Sequence, residues 1–186
     1  MRSEDVKDAI NYWTKWAQDN GNNNYDIAIL KIWIKFERYL GDVFLNYSIG
    51  LPSETGYSPK LKLCFKDESQ FNVFMLDGNK KYVEYINKIE KLSAFIFEKN
   101  PFDIILEDFE RKESFNQLKC IRNYIAHESE ESRRKVITHC FGGKEDKFME
   151  PDEFLKSKPK KGKDSYYSIY IKLILDVIKG INENIE

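Results

Sequence analysis

The stretch YDIAILKIWIKFERYLGDVFLNY, residues 25–47, limits the folds open to this chain more than any other segment. Its apolar residues Ile29, Trp33, Phe36, Leu40, Val43 and Tyr47 recur at steps of three and four. That spacing keeps one face of an α-helix apolar for about five turns. A stripe of that length is stable in water only when other elements cover it, so the rest of the chain must supply the cover. Gly41 lies inside the run and costs about 1 kcal/mol relative to alanine, which a helix this long absorbs.

The flanking segments supply more helices. Ser3-Glu4-Asp5 is an N-cap followed by acids, and Val6, Ile10, Trp13 and Ala17 continue at helical spacing, so a helix is expected over 3–19. DNGNNN (19–24) stops it. Residues 48–60 hold Gly50, Pro52, Gly56 and Pro59 and read as a loop. LKLCF and FNVFML, separated by KDESQ, are densely apolar and suggest a small β-hairpin over about 61–76, closed at Asp77-Gly78-Asn79.

Helical spacing returns over 80–99 through Tyr82, Ile86, Ile89 and Ile96 and ends at Asn100-Pro101. After the short segment FDIILEDF, a helix is expected over 114–126 with Phe115, Leu118, Ile121 and Ile125 as its stripe. Ser129 with Glu130 and Glu131 reads as a fresh N-cap for a helix that runs to about Cys140 and stops at Gly142-Gly143. Residues 144–163, with Pro151, Pro159 and the lysines of KSKPKKGK, read as a flexible basic loop, and SYYSIYIKLILDVIKGI forms a last helix. The expected fold is all-α: one domain over 1–186, a bundle of about five to six helices with the small hairpin inserted.

Composition narrows function mainly by exclusion. The 186 residues carry a net charge of −1, so no global basic field recruits nucleic acid, and a polyanion would need a local patch. Arg133-Arg134-Lys135 and the lysines of 156–163 are the candidate patches, and a solvated surface is the other reading of each. Cys64, Cys120 and Cys140 are odd in number, widely spaced and without a CxxC pair, a pattern of reduced thiols and not of a zinc site or disulfide framework. No metal or cofactor is expected. The opening MRSEDVKDAINYW has no apolar core, and no stretch is long and apolar enough for a bilayer. A cytoplasmic protein with no membrane partner is the expectation.

One constellation carries chemistry. On a helical wheel with Leu118 at zero, Phe115, Ile121 and Ile125 centre the buried face, and Arg122 falls roughly 40° away, inside it. A guanidinium there needs a partner or a shared cleft. Asn123 and His127 fall at roughly 140° and 180°, so Arg122 and His127 diverge by about 140° on an ideal helix. They can serve one substrate if the helix frays near His127 or if a second copy completes the site. His139 on the next helix reads as structural, and Glu37-Arg38 in the long second helix as a solvated face or, in the other reading, a border of the cleft.

The string Arg122-Asn123-Tyr124-Ile125-Ala126-His127 resembles the signature of the HEPN superfamily of helical ribonucleases, an arginine followed by a polar residue and, a few positions on, a histidine. The resemblance implies a small helical bundle that forms a homodimer with a composite active site. It also implies metal-independent cleavage of single-stranded RNA in a toxin–antitoxin or antiphage-defence setting, restrained by an antitoxin or other regulatory partner protein. Arg122 would then hold the scissile phosphate, His127 would transfer protons, and Asn123 would orient His127 or the phosphate. Many toxins of this kind carry a tyrosine shortly after the histidine, where this chain has Glu128-Ser129. That points away from the branch whose antitoxin is a nucleotidyltransferase. The alternatives are a non-catalytic HEPN-like dimer that binds a partner protein or nucleotide, and a plain dimerisation protein in which Arg122 is a buried ion-pair residue.

Overall fold

The structure is a computed structural model that describes residues 1–19, 24–76, 85–106, 109–159 and 164–183. Its elements are α1 (Ser3–Asp19), α2 (Tyr25–Ser48), α3 (Glu68–Leu76), α4 (Tyr85–Ile96), α5 (Asp103–Leu106), α6 (Phe109–His127), α7 (Glu130–Phe141), a single 3-10 turn (Glu145–Lys147), α8 (Pro151–Lys156) and α9 (Tyr166–Glu183). Among the described residues no helix is long and apolar enough to cross a membrane.

α2 is the hub. It packs against α1, α3, α4, α6, α8 and α9, and Ile29, Trp33, Phe36, Leu40, Val43 and Tyr47 are all buried. Burial also takes in Ile32, Tyr39 and Phe44, so the covered stripe is wider than a single seam. That width explains the neighbours on several sides. Edge-to-face aromatic pairs make much of the contact: Phe44 meets Phe71, Phe97 and Phe102 at 5.6–6.1 Å between centroids. Trp33 lies 5.3 Å and Phe36 6.1 Å from Phe115. Those last two contacts seat α6, and with it the arginine–histidine segment, on the middle of α2.

Over residues 61–76 the structure is not a hairpin. Among the described residues there is no strand there, only one antiparallel bridge between Leu61 and Phe97. Lys62 and Leu63 donate their backbone N–H groups to the Ile96 carbonyl at 2.8 and 3.2 Å, so LKLCF pairs with the end of α4 and not with its neighbour in sequence. FNVFML is helical because KDESQ is a cap and not a turn. The Asp67 carboxylate accepts from the Gln70 N–H at 2.9 Å, and the Asp67 carbonyl accepts from the Phe71 N–H at 3.1 Å. Phe71 and Met75, four residues apart, then form the buried face. A short run of apolar and aromatic residues fits both periods, and the cap decides. The expected turn at 77–79 and the first residues of the helix expected over 80–99 lie outside the described residues.

Two other expectations shift. α6 begins at Phe109, before Ser114, and runs to His127. The segment 144–163 is not simply a loop: it holds the 3-10 turn and α8, whose Pro151, Phe154 and Leu155 are buried. Phe154 stacks on Tyr166 at 4.2 Å and meets Phe141 at 5.2 Å, which ties this segment to the ends of α7 and α9. Residues 160–163, part of the lysine run, lie outside the described residues.

Gly180 lets α5 approach α9. A Cβ built on it would stand 2.1 Å from Ile104 Cδ1 and 3.3 Å from Ile104 Cγ1. Gly180→Ala therefore sets a helix-propensity gain of about 1 kcal/mol against displacement of one side-chain end. We expect Gly180→Ala to be more favourable by about 1 kcal/mol when Ile104→Val has removed that methyl group, as read in a double-mutant cycle of denaturant midpoints. An additive cycle would refute this account of the α5–α9 contact.

Candidate functional site

The site is built at a sharp reversal. α6 ends on His127, and the next residue, Glu128, has φ 45°, a left-handed conformation. Its N–H closes the helix by donating to the Tyr124 carbonyl at 2.8 Å. Glycine is the usual residue there, so a glutamate stores backbone strain. Ser129 then returns to extended backbone at φ −90° and ψ 152° and caps α7. Its Oγ accepts from the Ser132 N–H at 3.2 Å, and its N–H donates to Ser132 Oγ at 3.1 Å. The N-cap expected at Ser129 is thus present, with a serine in the position where glutamate completes the usual capping box. The left-handed cap expected at the other end is Gly142, φ 61°.

With only Glu128 and Ser129 between the helices, the start of α7 folds directly beside the end of α6. Arg122, Asn123, Ala126 and His127 from α6, with Ser129, Glu131, Ser132 and Lys135, line one open cleft of about 520 Å³. That volume lies within the range of small-molecule sites. All three residues singled out in the sequence therefore reach the same cleft within one chain. The divergence on the ideal wheel is real, but the cleft is wide, follows the last turns of α6, and has α7 as its far wall. His127 is exposed at its mouth, and Arg122 is half-buried at its inner end.

The Arg122 guanidinium is held on two sides. Nη1 donates to Asn123 Oδ1 at 2.7 Å, and Nη2 reaches Glu37 Oε2 of α2 at 3.3 Å. Nε is buried without a hydrogen-bond partner. The two charged side chains of the pair are 21% and 13% exposed. Arg122 therefore sits in the buried stripe, and a carboxylate compensates it there. Asn123 acts on Arg122 in this geometry. Glu37 lies behind the cleft lining, largely buried against Arg122 and not on a solvated face, whereas Arg38 is exposed. The signal for Glu37 was in the sequence: it falls four residues after Trp33 and three before Leu40, on the stripe that α2 buries.

The candidate basic patches are largely matched by acids. Lys135 bonds Glu131 at 2.7 Å, Arg134 bonds Glu130 at 3.3 Å, and Arg133 bonds Glu145 at 2.9 Å while lying 4.4 Å from the Phe148 ring. The hydrogen bond from Lys135 lowers the Glu131 pKa, and Glu131 in turn raises that of Lys135. Lys156 pairs with Asp152 at 2.6 Å. The cleft thus presents positive groups that carry their own counter-charges. His139 lies 3.9 Å from Glu113, outside the cleft lining. Burial pushes the Cys120 and Cys140 thiols up, away from the thiolate form a nucleophile needs. Among the described residues no three His, Cys, Asp or Glu side chains converge as a metal-ligand group.

The strained reversal is testable. Glu128→Gly relieves the left-handed backbone at an entropic cost, and we expect a net change between zero and about 1 kcal/mol of added stability. Glu128→Val, β-branched in the same conformation, should lose more than about 1 kcal/mol. Thermal melts of both variants check this, and equal melting temperatures would mean that the chain does not turn as described. No family model, curated protein or solved structure matches this chain.

Proposed function

We propose that this protein is a metal-independent endoribonuclease that cleaves single-stranded RNA through attack of a ribose 2′-hydroxyl on the adjacent phosphate. It works as a homodimer in a toxin or antiphage-defence role in the cytoplasm. The observation that carries this reading is the cleft that Arg122, Asn123 and His127 line together. The resemblance of the Arg122–His127 segment to the HEPN signature supports it.

The chemistry matches the residue types. The neutral imidazole of His127 removes the 2′-hydroxyl proton, and the oxygen forms a bond to phosphorus. The bond from phosphorus to the 5′-oxygen breaks, and the imidazolium protonates that leaving oxygen. Imidazole titrates near neutrality, so both transfers are available at cellular pH. Arg122 supplies a fixed positive charge and several N–H donors for the charge that grows on the phosphate oxygens. Asn123, bonded to Nη1, fixes the guanidinium plane. In a homodimer that apposes two such clefts, the neutral His127 of one protomer takes the 2′-hydroxyl proton while the partner's His127, entering as imidazolium, protonates the leaving oxygen, so the two end with their protonation states exchanged. A regulatory partner, an antitoxin in the toxin setting, would act by covering the cleft.

One observation favours a second reading. The ion pair between Arg122 and Glu37 is what a purely structural arginine would make. In that case the protein is a plain helical dimerisation protein in which Arg122 is a buried ion-pair residue.

The decisive experiment incubates purified protein with single-stranded RNA in EDTA. We expect cleavage to a 2′,3′-cyclic phosphate and a 5′-hydroxyl, and a loss of about 100-fold or more in rate for His127→Ala and for Arg122→Ala. Equal cleavage by wild type and His127→Ala, or 3′-hydroxyl and 5′-phosphate ends, would sink the ribonuclease reading. The structural reading expects no cleavage by any form, a lowered melting temperature for Arg122→Ala and an unchanged one for His127→Ala.

A further inference from the structure

Resting on the reading of Arg122 as a phosphate-binding group, we propose that Glu37 is an intramolecular competitor that sets the anion affinity of the cleft: its carboxylate holds the Arg122 guanidinium in the free protein and yields it to the phosphate of a bound polynucleotide. Three observations carry this. The contact is long, Nη2 to Oε2 at 3.3 Å, whereas arginine–carboxylate pairs that lock a structure close to about 2.8 Å. The guanidinium is not saturated, because Nε has no hydrogen-bond partner and an arginine offers five donors. Arg122 also lines the cleft that His127 and Lys135 line, so an anion entering it arrives beside the guanidinium that Glu37 holds.

Glu37 has two opposed effects. A half-buried guanidinium without a counter-charge destabilises the helix pair that holds it, so Glu37 keeps α2 and α6 together when the cleft is empty. The same negative charge repels any anion that approaches Arg122. The second positive group of the cleft, Lys135, is likewise matched, by Glu131. Glu131 is largely in solvent and its effect is screened, while Glu37, 13% exposed, is screened less. Glu37 is therefore the carboxylate that limits binding.

The test measures binding of a short fluorescent 2′-deoxyoligothymidine, which carries phosphates but has no 2′-hydroxyl to attack. Glu37→Gln should bind it about fivefold to tenfold tighter than wild type, as expected on removing one weakly screened like charge several ångströms from an anion. Glu37→Asp, whose shorter side chain loosens the contact, should tighten it by about twofold in the same direction. Arg122→Ala should abolish the difference, so that Glu37→Gln adds nothing to it. Glu37→Gln should also melt lower than wild type. Weaker or unchanged binding by Glu37→Gln, or an equal gain in the Arg122→Ala background, overturns the proposal. If Glu37→Gln does not fold, weaker or unchanged binding by Glu37→Asp overturns it, as does failure of every form to bind. Tighter binding by Glu37→Gln together with no RNA cleavage by wild type leaves this inference standing and removes the ribonuclease reading. RNA cleavage with no gain in binding does the reverse.

Discussion

The burial of α2 governs the rest of the molecule. A 24-residue helix whose apolar face takes in Trp33, Phe36, Tyr39, Leu40, Phe44 and Tyr47 must be surrounded, and the elements that follow are placed by which part of it they cover. α1 and α6 lie along it, α4 packs on it, and α8 and α9 close another side. Interiors are packed to crystal-like density, so the position of α6 is fixed by how Phe115 fits between Trp33 and Phe36. The candidate site inherits that position. Arg122 lies two turns beyond Phe115 on the same face of α6, which brings its guanidinium to Glu37, one residue after Phe36.

The second constraint is the turn at Glu128. A longer connection would let α7 swing away and leave His127 on a bare helix end. A two-residue connection with one left-handed residue forces α7 back against α6 and makes a cleft of what would otherwise be a flat surface. The strain in that residue is held by the α6–α7 contact and by the Ser129–Ser132 capping box. Strained backbone beside reactive groups is a frequent feature of working sites, and here it has a definable geometric product.

The helical class, the limits of α1 and α2, the Ser129 cap and the inward, half-buried placement of Arg122 were legible in the sequence because each rests on local periodicity or cap chemistry. The segment 61–76 was misread because FNVFML satisfies two periods at once. Only the Asp67 cap and the pairing of Leu61 with Phe97, a contact between residues distant in the chain, separate them. α8 was hidden for a related reason: its six residues are too few to show a period, and its charged surroundings resemble a loop. The wheel placed Arg122 in the inward-facing stripe and showed it diverging from His127, so that the two could serve one substrate if the helix frayed near His127 or a second copy completed the site. It treats a helix as a cylinder with point positions, whereas a guanidinium and an imidazole reach several ångströms and a cleft has two walls. The second wall, α7, depends on the sign of one φ angle, which no pattern of apolar residues encodes.

Glu37 shows most clearly how stability and function meet in this fold. An arginine placed inside an apolar stripe is unfavourable unless it is neutralised, and neutralising it fully would disable it as an anion site. A bidentate carboxylate would give the more stable protein and the weaker ligand site. A leucine at position 122 would pack well and bind no anion. The long contact from α2, with Asn123 holding the other side of the guanidinium, lies between these extremes. It compensates the charge of Arg122 while Nε keeps no hydrogen-bond partner, as the proposed anion site requires. A chain selected for stability alone has no reason to leave a buried guanidinium nitrogen of Arg122 without a partner beside an open cleft and an exposed histidine. That combination, more than any one of the three motif residues, is the physical argument for the proposed anion site.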